Sequence, residues 1–467
     1  MNITKFLKNN IVLIFAFPVL ANSLLNLFLD FDQIIFERIY IMKFISFLLG
    51  TIFFFFISNT INNTFKVGGR AISLVIFFTS YFTIDSIFLF ISKNLTFKSL
   101  IIYISAIWIM LLIYKSESIV NILKIFFSYL IWRLFNNNFF DDISNNTNYS
   151  ELNTDVPEQW FDIARMIYEN NYYFALENNL IEGQGLLPSY IQAFLLEVGF
   201  NVERFQFIQI TSFLFLSFSI LLIADLHISK KEKIIFSLVF ISLILNNNWL
   251  EYLLVNSLMI EGIVSFFISV YLFNYSRMLK NVNTISFLFF LTFGALVLTK
   301  NFVSLISLVI IILSVFLLRK NIYIILSTVI YLLNLIYQRI YFSELQNFAY
   351  TSEIDFKDLI FDFIYLRDLD FSNIVNIINQ FLIDKPTSYI VLVFLIANIF
   401  GIFVQKSNTT EDNIILFFII INYILVNLLY ISYWRNVEYE SSYRYIISCF
   451  HLIYLSLIIQ LSKFQKI

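Results

Sequence analysis

The chain has 467 residues, 59% of them hydrophobic and 13% charged, with a formal net charge of −2. A soluble domain carries about 25% charged residues, so this chain cannot cover a water-facing surface; its net charge says nothing about nucleic acid, and no nucleic-acid partner is expected. With two histidines and one cysteine, Cys449, it has no material for a histidine metal site, a histidine-based triad or an internal disulfide.

The apolar residues come in runs of roughly 17–22, the length of a bilayer-crossing helix. This predicts an all-α polytopic membrane protein. The first run, near 11–29, follows Lys5 and Lys8 and lacks a small-residue cleavage site, so it reads as a retained helix rather than a signal peptide. Further spans are expected near 40–58, 72–92, 99–114 and 118–135, then, after a long polar interval, near 205–224, 234–248, 256–275, 284–299, 302–318 and 321–337. A second polar interval covers 338–387, and the last spans fall near 388–405, 413–433 and 445–462, about fourteen in all. Lysines and arginines concentrate in alternate short loops: Lys66 and Arg70, Lys115, Lys230 to Lys233, Arg277 and Lys280, Arg319 and Lys320, Lys406. By the positive-inside rule that side is the cytoplasm, both termini lie there, and both long intervals lie outside. Lys93 and Lys98, on the other side, are the exceptions. Lys124 is expected to snorkel inward. Rich use of Phe, Ile and Asn points to AT-rich coding and a bacterial inner (plasma) membrane.

The first long interval, 136–204, concentrates the chemistry. It holds Pro157 and Pro188 of the chain's four prolines and the carboxylates Asp141, Asp142, Glu151, Asp155, Glu158, Asp162 and Glu169. A long polar loop on a membrane frame is where function is expected. Within DVPEQWFDIARMIYE, Trp160, Ala164 and Ile167 share one face, with Asp162, Arg165 and Glu169 opposite, the pattern of a short amphipathic surface helix. GQGLLPSYIQAFLLEVGF (183–200) reads as a second amphipathic helix. Asp155 with Glu158 has the spacing of a capping box, a purely structural role that leaves either carboxylate able to face a cleft.

A carboxylate ahead of an Ile163-Ala164-Arg165 surface helix, followed by a Pro188-Ser189-Tyr190 entry to an apolar helix, resembles the first external loop of GT-C superfamily glycosyltransferases, such as the protein O-mannosyltransferases and aminoarabinose transferases. Two further stretches are similar to that superfamily: Gly294 to Lys300, ending a middle span, and the Arg444-Tyr445 pair opening the last one. The resemblance covers 118–467 as a catalytic module, with 136–204 and 338–387 as its external loops; 1–117 forms an N-terminal group of helices without an assigned role. It implies that Asp155 is the base, with Glu158 as the second carboxylate where the family often has an Asp-Glu pair; here Val156 follows Asp155 directly. It also implies that Lys300, Arg444 and Tyr445 hold the donor phosphate, and that the sugar carbon inverts. A divalent metal is the one cofactor it leaves open. Glu261, inside a span, is a carboxylate expected to line the cavity or pair with Lys300. Each has a structural alternative: Lys300 as a snorkelling lysine, Arg444 and Tyr445 as interfacial belt residues.

The expected function is transfer of a sugar from a polyprenyl-phosphate donor to a glycan, lipid or protein acceptor hydroxyl at the extracytoplasmic face. The rival readings are a glycan polymerase or ligase on polyprenyl-linked substrates, a lipid-linked-glycan transporter or flippase dependent on midplane charges, and a structural membrane subunit. The scarcity of Gly and Pro within the spans counts against a transporter.

Overall fold

A computed structural model describes residues 12–13, 15–21, 38–91, 95–115, 117–139, 161–171, 174–175, 187–199, 214, 217–245, 261–280, 329, 385–401, 415–416, 419–420 and 450–466. Among these residues the chain is helical and has no strand. The helices are α1 (Arg38–Phe65), α2 (Arg70–Ile91), α3 (Phe97–Tyr114), α4 (Ile119–Phe139), α5 (Phe161–Glu169), α6 (Leu187–Gly199), α7 (Lys230–Leu245), α8 (Glu261–Lys280), α9 (Lys385–Phe400) and α10 (Phe450–Lys466). Phe44–Phe65, Phe97–Tyr114 and Ile119–Asn137 are long and apolar enough to cross a bilayer. The expected spans near 284–299 and 302–318 lie outside the described residues, and those near 321–337 and 413–433 lie almost wholly so.

The chain divides into two compact units, one formed by Phe36–Leu222 and Val255–Ala349, the other by Met1–Ile35, Ile223–Leu254 and Tyr350–Ile467. In the first unit, cross-helix contacts give α1 to α4 an up-and-down order. Ser46 Oγ donates to Asn136 Oδ1 at 2.6 Å, the Phe53 and Tyr129 rings lie 5.9 Å apart, and Thr64 donates to Glu117, so α1 and α4 run antiparallel. Tyr81 pairs with Ser105 at 2.8 Å, and Trp108 Nε1 donates to Ser80 Oγ at 3.0 Å, so α2 and α3 do likewise. The turn between α1 and α2 needs Gly68, whose φ of 96° would strain any side chain; its N–H donates to Asn62 Oδ1 at 3.0 Å.

The core of this unit is aromatic. Phe54, Phe78, Phe218 and Trp132 pack edge to face or tilted, 5.2–6.0 Å between centroids. Apolar side chains also cover the outside: Ile102, Met110, Ile119, Val120, Phe126, Phe127 and Ile131 are all exposed. A water-soluble helix would put polar groups there, so this face is made for lipid.

In the second unit, Ser229 and Glu232 form a reciprocal capping box at the start of α7: Ser229 N–H donates to Glu232 Oε2 at 2.7 Å, and Glu232 N–H to Ser229 Oγ at 3.3 Å. Glu232 Oε1 also accepts from Ser462 Oγ of α10 at 3.2 Å, and Tyr454 Oη donates to Phe236 O at 2.6 Å. His451 is buried against Phe240 and Phe450.

Candidate functional site

Of the residues singled out from the sequence, Asp155, Glu158, Lys300, Arg444 and Tyr445 lie outside the described residues. Glu261 opens α8, where the backbone alone is described. Of the first long loop, residues 161–171, 174–175 and 187–199 are described.

That part folds back onto the bundle. The predicted surface helix is α5, with Ile163, Ala164 and Ile167 buried and Arg165 and Glu169 paired outside at 3.3 Å. Its end is tied to the turn before α3: Phe97 N–H donates to Asn170 O at 2.9 Å, and Asn171 Nδ2 to Leu95 O at 3.1 Å. These bonds fix the α2–α3 turn and the long loop at one end of the bundle, as the alternating topology requires.

α6 departs from expectation. It was expected to be amphipathic, yet every residue in it except Glu197 is buried. Pro188 sits in its first turn, where no intrahelical N–H is lost. Its C-terminus is held by α4: Asn136 Nδ2 donates to Gly199 O at 2.7 Å and Arg133 Nη1 to Glu197 O. Trp132, fully buried, donates to Ser46 Oγ at 3.2 Å and fills the space that side chains at Gly50 and Gly199 would need; a Cβ at either would lie 2.9 Å from its ring. The two glycines thus admit one indole between α1, α4 and α6.

Docking of α6 closes over a carboxylate. Asp85 of α2 is fully buried, and neither of its oxygens has a hydrogen bond of ordinary geometry. The hydroxyl beside it belongs to Tyr190 of α6, which donates to Tyr81 O at 3.3 Å. The Tyr190 ring stands edge-on to Phe82 (5.2 Å) and Phe97 (5.4 Å), and Phe194 lies 4.9 Å from Tyr81, so the surroundings are aromatic. Ile91 ends α2 six residues beyond Asp85, about 9 Å along the axis. A carboxylate here is expensive and is a functional candidate by default. Charged, it calls for a ligand hydroxyl, an ammonium or a metal cation; protonated, it becomes a donor itself.

At the same end lies a half-exposed cluster of mixed charge: Arg133, Lys98, Glu197 and Tyr168. Burial raises the Glu197 carboxyl above its ordinary range, against the pull of Arg133 and Lys98. Burial, and then the charge of Glu197, raises the Tyr168 phenol. Arg133 also donates to Tyr129 Oη at 3.1 Å. No family model matches this chain, and neither does any curated protein or solved structure. The site therefore has to be judged on its own geometry.

Sequence reasoning passed over Asp85, Arg133 and Tyr190 as functional candidates. For Asp85 the signal was present: it is the one acidic residue in RAISLVIFFTSYFTIDSIFLFI. Arg133, eight residues before Asp141, the long loop's first carboxylate, read as the edge of a span. Among the described residues, no three His, Cys, Asp or Glu side chains are grouped to hold a metal ion.

Proposed function

We propose that this chain is a membrane glycosyltransferase that moves a sugar from a polyprenyl-phosphate donor to an acceptor hydroxyl at the bundle end covered by α5 and α6. Its frame is a set of about fourteen membrane helices. The observation that carries the reading is the docking of the first long interval: α6 covers the buried carboxylate of Asp85, and a cluster of mixed charge lies at the same end. Asp155 takes the acceptor proton as the new bond to the sugar carbon forms, and Glu158 orients it. The bond from that carbon to the phosphate oxygen breaks, and the polyprenyl phosphate leaves with the electron pair. Lys300, Arg444 and Tyr445 hold that phosphate, with Glu261 in the cavity wall. Asp85 orients the acceptor hydroxyl from below.

The test is release of polyprenyl phosphate from labelled lipid-phosphate sugars by the purified chain in lipid. Wild type turns over, and Asp155→Asn falls by about a hundredfold or more. Equal rates in the two would remove Asp155 as the base.

Asp85 also favours a second reading, a transporter of lipid-linked glycan, because intramembrane carboxylates mark ion and substrate paths. In that case Asp85→Asn stops movement of the lipid across vesicles without covalent change, and Asp155→Asn does not.

A further inference from the structure

From the end of the bundle opposite α5 and α6, an apolar groove of ≈ 420 Å³ runs between α1 and α4. Leu49, Ile52 and Phe56 form one wall; Leu123, Phe127 and Ile131 form the other. From Val120 to Ile131 it follows α4 for about 16 Å. The one charged side chain in its lining is Lys124. This lysine is exposed, five residues inside a helix whose candidate span is 17% buried, so it stands on the lipid face. Its ammonium turns back toward the start of α4 and donates to Asn121 Oδ1 at 3.5 Å. That is snorkelling toward the head-group level.

The charges around it leave this ammonium open to an anion. Glu117, one turn further out, is committed to Asn121 Nδ2 at 2.6 Å and to Thr64. Among the described residues, no carboxylate lies within ion-pair distance of Lys124. Lys66, Arg70 and Lys115 belong to the same end of the bundle, where Glu117 is the one described carboxylate, so the local balance is positive. Arg70 is spread over the Phe55 ring, 4.8 Å from its centroid.

We propose that this groove is a binding site for an anionic glycerophospholipid of the adjoining leaflet, with one acyl chain along the α1–α4 groove and its phosphate on Lys124. The apolar walls supply the surface for the chain, and basic pockets between membrane helices hold acidic head groups. The site is independent of the transfer reaction, and its charged end, at Lys124, lies at the end of the bundle away from α5 and α6.

The test is lipid retention by the full chain, released from detergent for mass measurement after equilibration with phosphatidylglycerol, with phosphatidylcholine in parallel. Wild type retains phosphatidylglycerol about fivefold better than Lys124→Gln does. Lys124→Arg retains it as wild type does, and Ile52→Trp, which fills the groove, loses both lipids. Helical circular dichroism of each variant guards against misfolding, and Lys124 is exposed enough to be replaced without a packing cost. Equal retention by wild type and Lys124→Gln overturns the proposal. So does displacement of phosphatidylglycerol by an equimolar polyprenyl phosphate, which would assign the groove to the donor.

Discussion

At the scale of single residues, the interior is organised by what has been left out. The slot for Trp132 exists because positions 50 and 199 lack a Cβ. Gly199→Ala should therefore cost about 1–3 kcal/mol by overpacking, read as a lower melting temperature in lipid nanodiscs. Pairing it with Trp132→Phe should recover part of that loss, because the atoms in conflict are gone. Strict additivity of the two would show that the conflict is not with this ring. Asp85 behaves in the opposite sense. A buried carboxylate with only the Tyr190 hydroxyl beside it does little to hold a fold together, so Asp85→Asn should melt no lower than wild type while the function tested above fails. A large fall in its melting temperature would make Asp85 structural. Glu117, in the turn between α3 and α4, has a definite pH signature. Burial pushes its carboxyl up, but hydrogen bonds from Asn121, Thr64 and the Ser118 N–H outweigh this and hold it below its usual range. Its stabilisation is complete above the unfolded value and is lost as pH falls through the lower folded value. Acid titration of stability should thus show a step below about pH 4.3 that Glu117→Gln removes.

At the scale of elements, α5 is an amphipathic strip and α6 a core helix, and the difference was only half legible in the sequence. The faces of α5 follow from the spacing of Ile163, Ala164 and Ile167 against Arg165 and Glu169, because a helix at the rim has one wet side. α6 was expected to be amphipathic, yet even its Ser189 and Gln192 are buried; tertiary packing overrides periodicity where a helix is surrounded. Which loop helices meet which spans was not legible at all, since the partners of Asn136, Arg133 and Tyr81 lie 63, 64 and 109 residues away in sequence. Ile167→Asp should undock α5, seen as faster amide exchange at 163–170 with the bundle unchanged. Arg165→Ala, which removes only the exposed pair, should shift stability by no more than about 0.5 kcal/mol. At α7, Ser229→Ala should cost about 1 kcal/mol through the lost cap, measurable as a small drop in melting temperature.

At the scale of the whole molecule, the alternation of ends was written in the charges of the short loops. Thr64 with Glu117 at one end and Phe97 with Asn170 at the other are the contacts such alternation demands. In a Cys449→Ser background, Asn63→Cys and Ser118→Cys should be labelled by an impermeant thiol reagent from one side of the membrane, and Lys98→Cys and Glu169→Cys from the other. Labelling of all four from a single side would refute the alternation. The number of spans and the geometry around Asp155, Lys300 and Arg444 depend on how distant segments assemble, which composition and spacing do not encode.

The burial of Asp85 also bears on how the chain is made. The Tyr190 wall that covers this carboxylate is synthesised about a hundred residues after it, which at 5–20 residues per second is roughly 5–20 seconds. During that interval α2 carries an acid with no lid. The helix is thus made with its carboxylate uncovered and acquires its cover only later, so the order of translation becomes part of the folding problem.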